Sequence, residues 1–311
     1  MLIETRTLPK DERTYLELGA LYEKYGYALY KMRKFEEYSL YLDNKRFLGS
    51  ESVLTFQGFG GKLMALKPDV TLSIVKNARV PEGAPLKLYY RESVYRTERG
   101  GGEFKEINQM GVECIGALTA SDVFEVCSLA VRSLALIDEQ FIFSVSHMGY
   151  ISALLDECGV VSPRARAAVT ECIRNRNAHD LCAAAGGEGE LGRIRAVIGG
   201  GTDFPSALAL AKSLVTGEEG KAAVAELETL YDSFRRAEFG DRIKLDFSIV
   251  NDIDYYNGII FQGYTARLAK PILSGGRYDG LLARFGREQG ATGFALNLGD
   301  LNTGYPREKE E

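Results

Sequence analysis

Gln109 and Glu113, four residues apart, are the side chains in this sequence best placed to do chemistry. They stand in residues 106–116, where polar and apolar side chains alternate with the period of a strand. Successive strand side chains point to opposite faces, so Gln109, Gly111 and Glu113 share one face and Met110, Val112 and Cys114 the other. An amide and a carboxylate then project side by side, and the glycine between them leaves room for a ligand. A second alternating run carries Leu86, Leu88 and Tyr90 and ends at Arg96; a charged, glycine-bearing turn over 97–105 joins the two. The pair reads as a long antiparallel hairpin with Arg96 near the polar face. This group suits a small zwitterion, with carboxylate or amide to an ammonium and arginine to a carboxylate. The other reading is a solvated sheet face with ordinary cross-strand polar pairs. The residues alone leave both open.

The elements that would position these groups follow from periodicity. Residues 11–25 read as an amphipathic helix with Leu16, Leu18, Leu21, Tyr22 and Tyr25 on one side, closed by Gly26. Residues 27–32 suggest a strand, and 54–77 a strand hairpin followed by a helix. Residues 121–138 form the clearest helix, with Ser121 as its N-cap and Val123, Val126, Cys127, Ala130, Val131 and Leu134 as its stripe. Phe141 to His147 reads as a strand. From 148 to 240 the texture changes to alanine-rich helices with glycine breaks, the last burying Val224, Leu227, Leu230, Tyr231 and Phe234. The run GGGTDFP lacks the lysine of a phosphate loop and reads as a loop entering a helix near Ser206. Strands resume with KLDFSIV and continue through the last three apolar runs.

Composition narrows the function classes. With 311 residues and 45% hydrophobic content the chain can bury a full core. A net charge of −5 with no basic run longer than two residues argues against a strong nucleic-acid surface. Five cysteines without a Cys-x-x-Cys pair suggest neither a zinc site nor a disulfide framework. His147 and His179 have no partner cluster and read as packing or surface residues. No metal or cofactor is called for, no signal core or membrane span is present, and the expected location is the cytoplasm.

The stretch YRESVYRTERGGGEFKEINQMGVECIG resembles motif 2 of class II aminoacyl-tRNA synthetases in its histidyl-tRNA synthetase form. The family's Arg-x-Glu-Arg, loop, Gln and Glu fall here at Arg96, Glu98, Arg99, Gln109 and Glu113. LKPDVT, residues 66–71, is similar to the family's Leu-Arg-Pro-Glu-Gly-Thr. There the acid and threonine hold the amino group of histidine, a role that the resemblance passes to Asp69 and Thr71; a Pro-Asp turn capping the next helix is compatible with it. Asp254, Tyr255, Tyr256, Gly258 and residues 275–281 match the later motifs. The resemblance covers almost the whole chain. It implies an α+β fold: a mainly antiparallel class II sheet flanked by helices, with a helical insertion at 148–240 between core parts 1–147 and 241–311. Residues 27–33 resemble motif 1, which builds the family's dimer interface, with Arg33 where the family has proline.

Departures from the family pattern bear on activity. Joining an amino-acid carboxylate to the α-phosphate of ATP requires fixed cations at the developing charge. The arginine opening the family's Arg-Gly-Leu-Asp-Tyr-Tyr is Asn251 here, the motif 3 arginine falls at Asp300, and a basic loop residue that meets the triphosphate aligns with Glu103. Acidic groups there would repel a polyphosphate, so the activation chemistry is expected to be lost. Only ten residues follow Leu301, so the family's anticodon-binding domain is expected to be absent and no tRNA partner is expected. The amino-acid side, Asp69, Thr71, Arg96, Gln109, Glu113, Tyr255 and Tyr256, persists as a candidate histidine site. Such a silent core resembles the regulatory subunits of ATP phosphoribosyltransferase in histidine biosynthesis. That resemblance implies a short-form catalytic subunit as partner, L-histidine as feedback effector, and a homodimer within a hetero-oligomer. The alternatives are a truncated synthetase-like enzyme or a stand-alone histidine sensor.

Overall fold

The computed structural model describes residues 8–45, 48, 53–97, 103–187, 189–251, 255–299 and 301–305. Its centre is the expected hairpin. Leu86–Thr97 (β5) and Phe104–Gly116 (β6) pair antiparallel from Leu86↔Ile115 to Thr97↔Phe104. Alternation splits β6 between two cores. Met110, Val112 and Cys114 enter the larger one, while Leu88, Tyr90, Val94 and Ile115 enter a smaller one on the opposite face. The face of Gln109 and Glu113 is therefore not solvated: these two side chains belong to residues only 4% and 2% exposed. That sets aside the reading of an ordinary wet sheet face.

Among the described residues eight strands form the main sheet. Beyond β5 and β6 they are Ala28–Leu29 (β1), Phe141–His147 (β7), Ile243–Leu245 (β8), Ile259–Thr265 (β9), Leu273–Arg277 (β10) and Gly290–Asn297 (β11). The order is β1-β5-β6-β11-β10-β9-β7-β8, with β1/β5 and β7/β8 parallel and every other neighbour antiparallel. The expected mixed, mainly antiparallel sheet is what forms. A small second sheet contains Phe35–Glu37 (β2), Thr55–Gln57 (β3) and Leu63–Leu66 (β4) in the order β2-β4-β3.

Helices cover the larger core. Lys10–Lys24 (α1) carries Asp11 and Glu12 in its first turn and Lys24 in its last, matching the helix dipole. It ends at Gly26, whose φ of +82° favours glycine. Its buried face is Thr14, Tyr15, Leu18 and Tyr22, and Leu16 is exposed. Steps of three and four residues connect 15, 18 and 22, whereas Leu16 lies one residue, about 100°, around from Tyr15. Ala120–Ile137 (α4) is capped by Thr119 rather than Ser121. Thr119 accepts from Asp122 N while Asp122 accepts from Thr119 N at 2.8 Å, a reciprocal box that Ser121, one residue inside the helix, cannot make. The six-residue stripe expected for α4 is buried throughout.

Residues 148–240 are helical, from Met148–Glu157 (α5) through Pro163–Arg174 (α6), Leu181–Ala185 (α7), Gly192–Gly199 (α8) and Phe204–Leu214 (α9) to Glu218–Arg236 (α10). They share the larger core with the sheet. Phe234 of α10 lies 5.6 Å from Phe124 of α4 and 5.9 Å from Phe143 of β7, ring to ring. Asp203 caps α9 through Ser206 N at 3.2 Å, so GGGTDFP leads into a helix as its composition suggests. The strand read across KLDFSIV stops at Leu245, because Asp246 accepts from Ser248 N and Oγ and folds the chain into a turn. Of the strand read at 27–32, only Ala28–Leu29 pairs. Neither β2 nor the short helix Tyr38–Asp43 (α2) is announced by any clear period in the sequence.

One staple decides where the site residues sit. The loop before Thr71–Asn77 (α3) is fastened to β5 by Lys67 O accepting from Tyr95 N at 2.9 Å and by Pro68 O accepting from Arg96 Nε at 2.6 Å. Lys67, fully buried, also pairs with Glu92 at 2.8 Å, and Glu92 accepts from Met32 N at 3.2 Å. Desolvation pushes the Lys67 ammonium below its usual range, which its ion pair only partly offsets. Removing one partner of a buried pair strands the other. Glu92→Ala is therefore expected to destabilise the fold by about 3 kcal/mol, measured as a shift of the urea midpoint at unchanged slope.

Candidate functional site

A cavity of about 260 Å³ opens on the polar face of β6, lined among others by Asp69, Thr71, Tyr90, Arg96, Gln109, Glu113, Asn251, Tyr255, Tyr256, Tyr278 and Asn297. The seven residues expected from the sequence to hold a zwitterion thus meet around one space. Its floor depends on close backbone approach. A Cβ on Gly111 would sit 2.1 Å from Phe294 O, and one on Gly293 would sit 1.9 Å from Glu113 Oε2. Any side chain at these strand positions would fill the cavity or break the β6–β11 pairing.

Glu113 is the centre. Thr71 Oγ1 donates to its Oε1 at 2.8 Å, and the Tyr278 hydroxyl donates to its Oε2. Burial pushes its carboxyl up to about 8, against the pull of these two donors and with the push of neighbouring Asp69. Asp69 itself is raised by desolvation, although the Arg96 charge and the N–H groups of Leu72 and Thr71 favour its ionised form. It accepts from Leu72 N at 2.8 Å, so the Pro-Asp turn caps α3, and the same side chain lines the cavity. Gln109 donates through Nε2 to Asn297 Oδ1 at 2.7 Å, directly across the β6–β11 register. Tyr255 and Tyr256 stand edge-on with ring centroids 4.4 Å apart, and Tyr255 lies 6.0 Å from Tyr278.

Tyr278 and Asn297 line the cavity and bond to Glu113 and Gln109, contacts that residue-by-residue reasoning missed. Tyr278 lies inside the GGRYDGL stretch, where a tyrosine next to a turn gives no sign that it will reach a carboxylate 165 positions away. Asn297 is visible only once β11 is known to pair with β6. Asn251 is on the cavity wall. Glu103 is exposed just before β6 and does not line the cavity. Glu98, Arg99, Asp254 and Asp300 lie outside the described residues. His147 is buried and packed as expected, and His179 is exposed. Among the described residues no three His, Cys, Asp or Glu side chains cluster to hold a metal, and no helix is long and apolar enough to cross a membrane.

The balance of charge states what the cavity can recognise. Among the described residues, two carboxyls and one guanidinium line a space bordered by aromatic rings and amides. A cationic group between Asp69 and Glu113 would return both to their ionised forms, the rings favour a planar cation, and Arg96 can take a carboxylate.

Comparison with known proteins follows this geometry. The histidyl-tRNA synthetase profile matches residues 6–301. An ATP phosphoribosyltransferase regulatory subunit from Halalkalibacterium halodurans is 33% identical over 256 residues, covering 76% of this chain and 62% of that protein. The chain thus spans under two thirds of that relative's length. A crystal structure from Bacillus halodurans, described as an ATP phosphoribosyltransferase regulatory subunit/histidyl-tRNA synthetase, is similar with a TM-score of 0.80 and 27% identity, covering 96% of this chain and 80% of that one. The ATP phosphoribosyl transferase (HisG:HisZ) complex from Thermotoga maritima contains a chain of the same fold, with a TM-score of 0.72 and 18% identity over 93% of this chain and 97% of that one.

The buried carboxyl makes a pH prediction with a definite sign. Unfolded, Glu113 loses its proton near 4.5; folded, it keeps it to about 8. Between these values the folded state binds the extra proton, so stability falls as pH rises, by up to about 1.4 kcal/mol per pH unit. Thermal melts from pH 5 to 8 should show a steeper fall for the wild type than for Glu113→Gln. Equal slopes would mean that Glu113 is ionised throughout.

Proposed function

The chain belongs to the histidyl-tRNA synthetase family, and from that premise we propose that it is a non-catalytic regulatory subunit of ATP phosphoribosyltransferase. In this reading it joins a short-form catalytic subunit, is required for transfer of phosphoribose from PRPP to ATP, and carries feedback inhibition by L-histidine. The observation that supports it most is an asymmetry within one cavity. The amino-acid side keeps Asp69, Thr71, Arg96, Gln109, Glu113, Tyr255 and Tyr256, while Asn251 stands on the wall where activation chemistry calls for a cation. A pocket of this kind recognises an amino acid and, among its described lining residues, offers a polyphosphate Arg96 alone as counter-charge. The names of the relatives agree with that reading, and the HisG:HisZ complex offers the kind of partner it requires.

Histidine would act by binding one state of the assembly better than another, since a ligand shifts an equilibrium only through differential affinity. Residues 148–240 would be the helical insertion within a synthetase-like core, with no tRNA gripped and no cofactor used. The described cysteines are free thiols, four of them buried, which suits the cytoplasm. A homodimer has a physical basis in the small sheet. Phe35, Phe56, Phe59 and Leu63 are exposed there, with Phe35 and Phe56 edge-on at 5.6 Å. Apolar groups clustered in this way mark an association surface.

The test is phosphoribosyl transfer by a short-form catalytic subunit with and without this chain. Activity should rise on addition and fall again with L-histidine; two folded proteins with no effect on each other would overturn the reading. In the same assay Glu113→Ala should still activate but lose histidine inhibition, and full inhibition of that variant would move the effector site out of the pocket. For the dimer, Phe35→Asp with Phe56→Asp should halve the mass measured by light scattering, and an unchanged mass would place the interface elsewhere.

A further inference from the structure

The network that holds the wall of Tyr255 and Tyr256 begins in the helical stretch, at residues that do not line the cavity. His147 ends β7 and caps α5: its Nδ1 accepts from Tyr150 N at 3.1 Å. A nitrogen that accepts from a backbone N–H carries no proton, so the ring's hydrogen is on Nε2, which lies 3.2 Å from Glu226 Oε2 on α10 and donates to it. The His147 side chain is 4% exposed, so its orientation is set by these two bonds rather than by water. The next residues touch the wall. Met148 N donates to Gly258 O at 2.9 Å, and a Cβ on Gly149 would sit 3.0 Å from His147 Cε1 and 3.2 Å from Asn257 O. On its other side the same loop is held by Asn257 N donating to Arg277 O at 3.2 Å and Asn257 Nδ2 donating to Asp279 Oδ2 at 3.1 Å. Asp279 also binds Arg277 Nε at 2.8 Å, and the Arg277 charge acts on Glu226.

We propose that Glu226 is a positioning residue for the pocket: through His147 it fixes the start of α5, and thereby the 255–258 loop that presents Tyr255 and Tyr256. The proposal deepens the histidine-site reading and rests on it for its ligand. Neither Glu226 nor His147 lines the cavity, so the influence of Glu226 runs through the imidazole orientation and the Met148–Gly258 bond. It makes the helical stretch a place from which the pocket can be tuned, because a partner that drew α10 aside would release His147 and then the loop. Coupling of this kind needs an element that both sites bias, and the α5 N-terminus is that element here.

Glu226 is half-exposed, with 49% of its side chain accessible, so the fold should survive its replacement. The full chain is titrated calorimetrically with L-histidine, and amide hydrogen exchange of residues 255–258 is followed without ligand. Glu226→Ala should weaken L-histidine binding about fivefold, at the low end of couplings between sites, and speed exchange in 255–258. Glu226→Gln, whose carbonyl can still accept from Nε2, should stay near the wild type in both. Unchanged exchange in Glu226→Ala would overturn the proposal, as would equal damage from both variants, which would make charge rather than the hydrogen bond the cause. A wild-type chain that binds no L-histidine would sink the ligand assignment instead, and the exchange experiment would still decide the role of Glu226.

Discussion

A carboxyl group out of reach of water needs a counter-charge, a set of donors or a proton. Among the described residues Glu113 has two hydroxyl donors and Asp69 as a like-charged neighbour, and no cation hydrogen-bonds to it. Much of the surrounding structure serves that placement. The glycine floor at Gly111 and Gly293 lets β11 and the Glu113 side chain share one space. The Lys67–Glu92 pair and the Pro68–Arg96 bond pin the loop that brings Thr71 to one oxygen, and the turn after β10 brings Tyr278 to the other. A cation of the right size beside Glu113 would offset the cost of that burial. Under the proposed function, recognition would follow from the desolvation of one side chain.

The same electrostatics bears on nucleotide chemistry. Phosphoryl groups need fixed positive charge, and such charge is worth most where water is excluded. Arg96 is half-buried on the wall, bonded through Nε to a carbonyl and acting on Asp69. Asn251 contributes an amide rather than a charge. An amino acid brings its own cation and anion and satisfies both ends of such a site. A triphosphate brings only anions and would meet two carboxyls.

Most of what builds the site was legible in the sequence, for a physical reason: strand alternation assigns side chains to faces. Alternation put Gln109 and Glu113 together and Met110, Val112 and Cys114 on the core, and motif resemblance added Asp69, Thr71 and the tyrosines. Alternation cannot say whether a polar face is wet, because what covers it comes from distant parts of the chain; here α3, Tyr278 and Tyr90 do so. Tyr278 and Asn297 stayed hidden for the same reason. Local errors had local causes. Leu16 is apolar but lies off the α1 stripe, Thr119 made the capping box that Ser121 could not, and Asp246 turned a β-branched run away from the sheet. The short β2 and α2 carry too few residues for a period to show.

Calorimetric titration of the full chain with L-histidine and with ATP, separately and together, tests the central claim most directly. Saturable binding of L-histidine and no heat from ATP in either setting are expected, because the wall carries the amide of Asn251 where the proposed reading requires a cation for a polyphosphate. ATP that binds alongside histidine and supports histidine-dependent exchange with pyrophosphate would contradict it.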